Sequence, residues 1–253
     1  MMTEPKTSAR LSGAKKRPAT KKKAPGGDQP NQALSQARVL EVAIRIGDEE
    51  SLDALTMRRL AADLGVGTMT LYSYFRNKNE LLDGMADEIL GSLVLPPMEG
   101  YDAAEALAVI AHCLRDMMRA HPFVVRLFGS RTTRRKRAMR GSYEQVLEAL
   151  IDIGLAPTDA VHAYGLLLVY ALGFSGYELP RPWGRNPEDL EGVDELRRQR
   201  GLFYQALPRD EFPVMVSLSD TLVTLPSDEQ FEWGLRVLIK GMLGEHGLAR
   251  PAR

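Results

Sequence analysis

The stretch that most restricts the fold is residues 55–78, LTMRRLAADLGVGTMTLYSYFRNK. Thr56 is a helix N-cap type, Leu60, Ala61 and Leu64 share one helical face, and Gly65 stands where a C′ residue with positive φ is wanted. A first helix therefore ends at Leu64. A second is expected over residues 68–75, with Leu71 and Phe75 four apart and turned inward with Val66 to meet Leu60 and Leu64. Its other face carries Thr68, Met69, Thr70, Tyr72, Ser73 and Tyr74, side chains of the kind that reach phosphate oxygens, base edges and thymine methyl groups. A helix, a short glycine turn and an outward-looking polar helix are the parts of a helix-turn-helix, the second helix being dimensioned for the major groove. Periodicity alone is equally met by an ordinary pair of core helices.

The residue types favour the first reading. LTMRRLAADLGVGTMTLYSYFRNKNELL resembles, without a gap, the pattern of the tetracycline-repressor (TetR) family, with its L-T opening, L-A pair, L-G-V turn, T-L-Y recognition core and F-x-N/S-K exit. The resemblance runs over residues 34–89; beyond them it is one of helical layout. It implies an all-α fold, a three-helix DNA-binding domain with a larger C-terminal helical domain for effector binding and dimerisation. Arg58 resembles a family position that reaches a base edge. Thr56, Tyr72 and Lys78 are expected on phosphates, Lys78 also because it opens a helix whose free N–H groups favour anions. The tetracycline repressor itself holds a drug–magnesium complex through histidines. At the end of the fourth helix, GSLVL, this chain has none, so no metal or other cofactor is carried over.

Charge is balanced, 33 basic against 33 acidic residues, and the balance hides an asymmetry. Residues 1–33 carry Lys6, Arg10, Lys15, Lys16, Arg17, Lys21, Lys22 and Lys23 against Glu4 and Asp28, with few large apolar side chains, so this stretch is expected to be disordered. It reads as an arm attracted to DNA phosphates or as a solubilising tail or expression remnant. The one cysteine, Cys113, excludes an internal disulfide and suits a reducing cytoplasm. No apolar segment follows the first lysines as in a signal peptide. The most apolar run, residues 163–174, reads as a buried helix too short to span a bilayer, so no membrane partner is expected.

Domains are placed at residues 34–95 and 96–253. Ser35 should cap a first helix with Ala37, Leu40 and Ile44 inward and Gly47 at its end, and Asn77 with Glu80 should open a fourth. Further on, Asp102 with Glu105 opens a helix towards Ala120, and His121-Pro122 interrupts it. Another helix spans residues 133–153, Thr158 caps a long one over 159–177, residues 180–196 form a loop, and pieces follow near 196–206 and after Pro208. Ser227 with Gln230 opens the last helix.

Enzymatic chemistry finds little support. Gly65-x-Gly67 follows a helix and lacks a third glycine, the histidines His112, His121, His162 and His246 show no ligand spacing, and there is no G-x-S-x-G elbow. Residues 117–143 hold no acid but carry Arg119, Arg126, Arg131, Arg134, Arg135, Lys136, Arg137 and Arg140, a second anion site or a solvated face. Met117, Phe128, Tyr143, His162, Tyr170 and Phe174 are candidate lining of an effector pocket, as the resemblance implies, although a filled core explains them equally. The reading is a sequence-specific regulator of transcription, a repressor in the first instance, released from a near-palindromic operator in double-stranded DNA by a small, mostly apolar effector and acting as a cytoplasmic homodimer. A ligand-independent regulator or activator, or a helical enzyme or binding module with an incidental helix-turn-helix, are the alternatives.

Overall fold

The computed structural model describes residues 34–128, 139–179 and 193–244. The basic arm, Arg131–Arg137 and most of the proline-rich stretch lie outside them. Residues Leu34–Arg253 form one compact unit, and every regular element among the described residues is helical.

Local capping starts the first helices where the sequence placed them. Ser35 Oγ accepts the Arg38 N–H at the head of α1 (Gln36–Glu49), and Thr56 Oγ1 accepts the Arg59 N–H at the head of α2 (Met57–Asp63). Behind α2, Gly65 takes φ +68°, its N–H bonds to Ala62 O, and the Val66 N–H bonds to Ala61 O. These two bonds make a Schellman turn that delivers the chain into α3 (Thr68–Tyr72). Asn77 caps α4 (Lys78–Gly91) by accepting the Glu80 N–H, and Glu80 in return takes the Arg76 N–H.

Tertiary packing overrules the sequence reading in three places here. The inward face of α1 is Val39, Leu40, Val42, Ala43 and Ile46; Ala37 is exposed and Ile44 only half-buried, because α1 packs against both α2 and α4. The helix runs on through Gly47, where glycine is required by close approach: a Cβ would stand 2.9 Å from the Phe123 ring. And α3 ends at Tyr72, not Phe75, since the Ser73 hydroxyl donates to Thr70 O and the chain turns tightly towards the Asn77 cap.

Three helices form the centre of the remaining chain. α5 (Ala103–Ala120) opens with a reciprocal capping box between Asp102 and Glu105, and α6 (Val124–Phe128) follows the His121-Pro122 corner. A π-helical turn, Met139–Glu144, leads into α7 (Gln145–Asp152), which Gly154 closes at φ +101°. α8 (Pro157–Glu178) begins with Pro157 in its first turn, where a missing N–H costs nothing, so Thr158 is not its cap. At 22 residues α8 is long and apolar enough to cross a membrane, and the expectation that the run is too short does not hold. Its place is set instead by packing of Ala163, Tyr164, Leu167 and Ala171 against neighbouring helices. After α9 (Val193–Gln205), α10 (Pro213–Ser217) and α11 (Ser219–Leu222), α12 (Asp228–Leu243) lies along α5 behind the Ser227 cap.

A charge cluster joins α5, α8 and α12. The Arg115 guanidinium, 3% exposed, donates to both Glu178 oxygens, from Nε at 3.2 Å and from Nη2 at 2.7 Å, and also to Asp228 Oδ1 at 2.8 Å. Arg119 donates to the same two carboxylates, and the Arg115 guanidinium lies 4.1 Å above the Phe231 ring. Burial works to raise the Asp228 carboxyl, but the hydrogen bond and charge of Arg119, then of Arg115, outweigh it and hold the group below its ordinary value. Its contribution to stability is therefore present above that ordinary value and is lost as the pH falls through the depressed one. Glu178→Leu leaves Arg115 buried with Asp228 as its remaining carboxylate partner. The expected loss is about 3–5 kcal/mol of unfolding free energy, read by urea denaturation.

Candidate nucleic-acid interface

The reader is built from the inside outward. Leu60, Leu71 and Phe75 are fully buried, which turns the opposite side of α3 to solvent. Successive helical residues step about 100° round the axis, so positions 72, 69, 73 and 70 make one continuous arc opposite Leu71. Met69 is 79% exposed, Tyr72 is 43% exposed, and Thr70 and Ser73 are exposed beside them. Thr68 is half-buried at the start of the helix. Ser73 has already given its proton to Thr70 O, so it can only accept.

Adjacent arginines on α2 have different fates. Arg59 is held by Asp63 at 2.9 Å and by Glu50 at 2.7 Å, and Arg45 closes the network onto Asp63 at 3.5 Å. Arg58 is exposed and enters no ion pair among the described residues. Thr56 keeps its hydroxyl proton for a further partner, since its oxygen serves as acceptor in the cap. Lys78, half-buried, donates one of its protons to Leu52 O at 3.1 Å, which leaves two donors. Tyr74 differs from the expected outward residue. At the edge of the arc its ring packs on the core, and its hydroxyl donates to Leu34 O at 2.8 Å, tying the head of α1 to the exit of α3.

Residues 39–85 match the family described as bacterial regulatory proteins, tetR family, and residues 96–245 match the tetracyclin repressor-like C-terminal domain. The chain belongs to the TetR family of bacterial transcriptional regulators. It is 32% identical to the HTH-type transcriptional repressor DrrR1 of Streptomyces coeruleorubidus, over 84% of this chain and 78% of that one. The tetracycline repressor class A from transposon 1721 of Escherichia coli is 26% identical over 83% of this chain and 90% of its own. Among solved structures, Streptomyces coelicolor ActR in complex with actinorhodin superposes with a TM-score of 0.69 at 31% identity, over 83% of this chain and 97% of that one. DNA-binding regulation of transcription is thus the function of this TetR-family chain.

The six candidate pocket residues are not gathered round one cavity. Met117 is buried in the core, Phe128 is half-buried, and Tyr170 and Phe174 flank Phe231 with ring centroids 5.1 Å away, the Tyr170 hydroxyl donating to Phe231 O. His162 is exposed, and Tyr143 stands half out of the protein with its edge on the Tyr164 ring. The cause lies in α8, whose tightest face is made of small residues, Ala160, Ala163, Ala171 and Ser175, so its aromatic stripe falls on the flank.

Sequence reasoning also missed the joint between the reader and the rest of this regulator. At the end of α1, Asp48 Oδ2 lies 2.9 Å from His121 Nδ1 at the α5–α6 corner, Gly47 abuts the Phe123 ring, and Asp53 lies 3.6 Å from Arg126. Burial raises the Asp48 carboxyl above its ordinary value, with the hydrogen bond and charge of His121 offsetting part of the rise. Gly47 carried the signal, being a glycine inside an amphipathic helix with no turn to make. Gly47→Ala should cost about 1–3 kcal/mol by overpacking. Phe123→Leu in the same chain should recover part of it, a non-additivity measurable by a double-mutant denaturation cycle.

Proposed function

We propose that the protein is a homodimeric repressor that reads a near-palindromic operator through α3 and the head of α2 and releases it on binding a small molecule. The observation that carries the DNA-reading part is the exposed arc of α3 beside Arg58, with Arg59 sequestered. A guanidinium free of internal partners at the first turn of α2 suits a bidentate contact to guanine. Thr56, Tyr72 and Lys78 are assigned to phosphates, and Tyr74 is withdrawn from the contact set. The division into a reader of residues 34–95 and a larger domain from residue 96 is supported by the boundaries of the two family matches.

Selection of bound DNA from a random pool at stated salt tests the reading, with two inverted half-sites expected. Arg58→Ala should then weaken operator binding by about 1–3 kcal/mol and relax preference at one position of each half-site. Uniform weakening on all sequences would make Arg58 a phosphate contact, and no retention of specific DNA would defeat the reading.

Dimerisation is supported by what α8 and α12 leave uncovered. Val161, Val169 and Tyr177 on α8 and Trp233 and Val237 on α12 are exposed, and Gly165, Gly173 and Gly241 have nothing within 4 Å of where a Cβ would lie. Gly234, by contrast, accommodates the Tyr170 hydroxyl inside the subunit. Two such helices from each copy form a four-helix bundle and set two recognition helices about 34–36 Å apart. Val169→Glu should shift the protein to monomer in sedimentation and cost cooperative binding to a full operator. A variant still dimeric at micromolar concentration places the interface elsewhere.

Effector release needs no contact between effector and DNA. It needs a ligand that prefers the DNA-incompetent geometry, and a swing from 1:99 to 99:1 requires about 5.5 kcal/mol of preference. The packing of α4 and the end of α1 against α6 and its corner is the route by which such a preference reaches the reader.

A further inference from the structure

A cleft of about 660 Å³ opens between α7 and the connector that leaves α4, away from the six aromatic and sulfur candidates considered above. Its size is that of a small-molecule site. Three carboxylates border it, Glu99 on the connector and Glu148 and Asp152 on α7, and no lysine, arginine or histidine does. All three are exposed, and none enters an ion pair among the described residues. Glu148 and Asp152 are four apart on one helix, a like-charge pair that weakens the helix it sits on. The rest of the lining is half-buried and largely apolar, Leu95, Met98, Ala149 and Ile153, with the Tyr101 ring, 40% exposed, at the side.

Charge and shape together select the occupant. Negative potential with no internal cation calls for a positive ligand. The carboxylates do not converge, for no group of three His, Cys, Asp or Glu able to hold a metal ion occurs among the described residues. A compact, strongly hydrated ion therefore gains little here, whereas a cation spread over an apolar body meets the carboxylates, the aliphatic wall and the tyrosine face at once. The cleft also touches the machinery. The Gln145 side-chain amide donates to Leu93 O on the connector and to Gly141 O, and Gly141 lies so close to Gly91, at the end of α4, that a Cβ there would stand 2.8 Å from the Gly91 Cα. Anything wedged between connector and α7 thus presses on the exit of the helix that carries the reader.

We propose that this cleft binds a small amphipathic organic cation and is the effector site of the regulator, an inference that rests on the effector-responsive reading above. The probe is tetraphenylphosphonium, with tetraphenylborate as a partner of the same shape and opposite charge, titrated into the full chain by calorimetry and into the complex with selected operator by fluorescence anisotropy. Tetraphenylphosphonium should bind saturably and tetraphenylborate should not. Glu148→Gln/Asp152→Asn, in a protein that melts as the parent does, should weaken tetraphenylphosphonium at least tenfold, while Asp210→Asn/Glu211→Gln, exposed acids on another loop, should leave it unchanged. Bound cation should weaken operator affinity, and operator should weaken the cation by the same factor. No binding up to millimolar probe, equal binding of both ions, or indifference to the α7 substitutions overturns the site. Carboxylate-dependent binding that leaves operator affinity unmoved overturns its role as effector site. Failure of the ligand-free protein to retain operator is a separate result and defeats the regulator reading instead.

Discussion

The guanidinium of Arg115 is where three helices are held in register. A buried cation tolerates few arrangements of its partners, because each lost contact leaves charge without compensation in a medium that screens poorly. Glu178 at the end of α8 and Asp228 at the start of α12 must therefore arrive at the same point on α5, and the Phe231 ring closes over the guanidinium from one side. With both termini pinned, the angles of α8 and α12 to α5 are no longer free. The outward faces of those two helices are then presented in one orientation, which any second copy must accept. Apolar packing supplies most of the stabilisation in this region, but apolar contacts slide where a forked ion pair does not.

On the other side of α5 the constraint is steric. Gly47 lets α1 approach the Phe123 ring, and Asp48 and His121 close the contact with a polar tie. The α5–α6 corner thereby touches the first helix of the reader directly, while α4 packs on α6 and on the π-helical turn before α7. The recognition helix is carried by α1, α2 and α4 as one packed unit, so a small displacement of that corner or of the connector moves it as a rigid piece. The six internal residues first considered for an effector are mostly core or surface, and a cleft beside the connector is better placed to act on this unit.

Legibility in the sequence followed the range of the interaction. Ser35, Thr56, Asn77, Asp102 and Ser227 were readable as caps because a cap and its N–H lie three residues apart. The Gly65 turn was readable for the same reason. Arg115 and Glu178 are 63 residues apart, and nothing local announces that they meet; the trace was a charged residue on the apolar face of each helix. The face of α1 was misplaced because two neighbours, not one, decide it. Tyr74 was assigned outward because its type suits a phosphate, and only the fold brings Leu34 O within reach of its hydroxyl. For the reader itself, exposure of Met69, Thr70 and Tyr72 followed from the burial of Leu71, whereas the freedom of Arg58 and the captivity of Arg59 depended on where Glu50 and Asp63 come to lie.

Gly165, Gly173 and Gly241 meet no neighbour inside the subunit, yet each gives up about 1 kcal/mol of helix propensity relative to alanine. A lone subunit carries that deficit with no internal contact to offset it. If association of two copies supplies the missing contacts, folding and assembly become one equilibrium, and the folded fraction follows the law of mass action. Stability would then be a property of abundance: dilution would loosen the fold and the pairing of half-site readers together, and bound operator, by holding two copies side by side, would act as a ligand of the folded state.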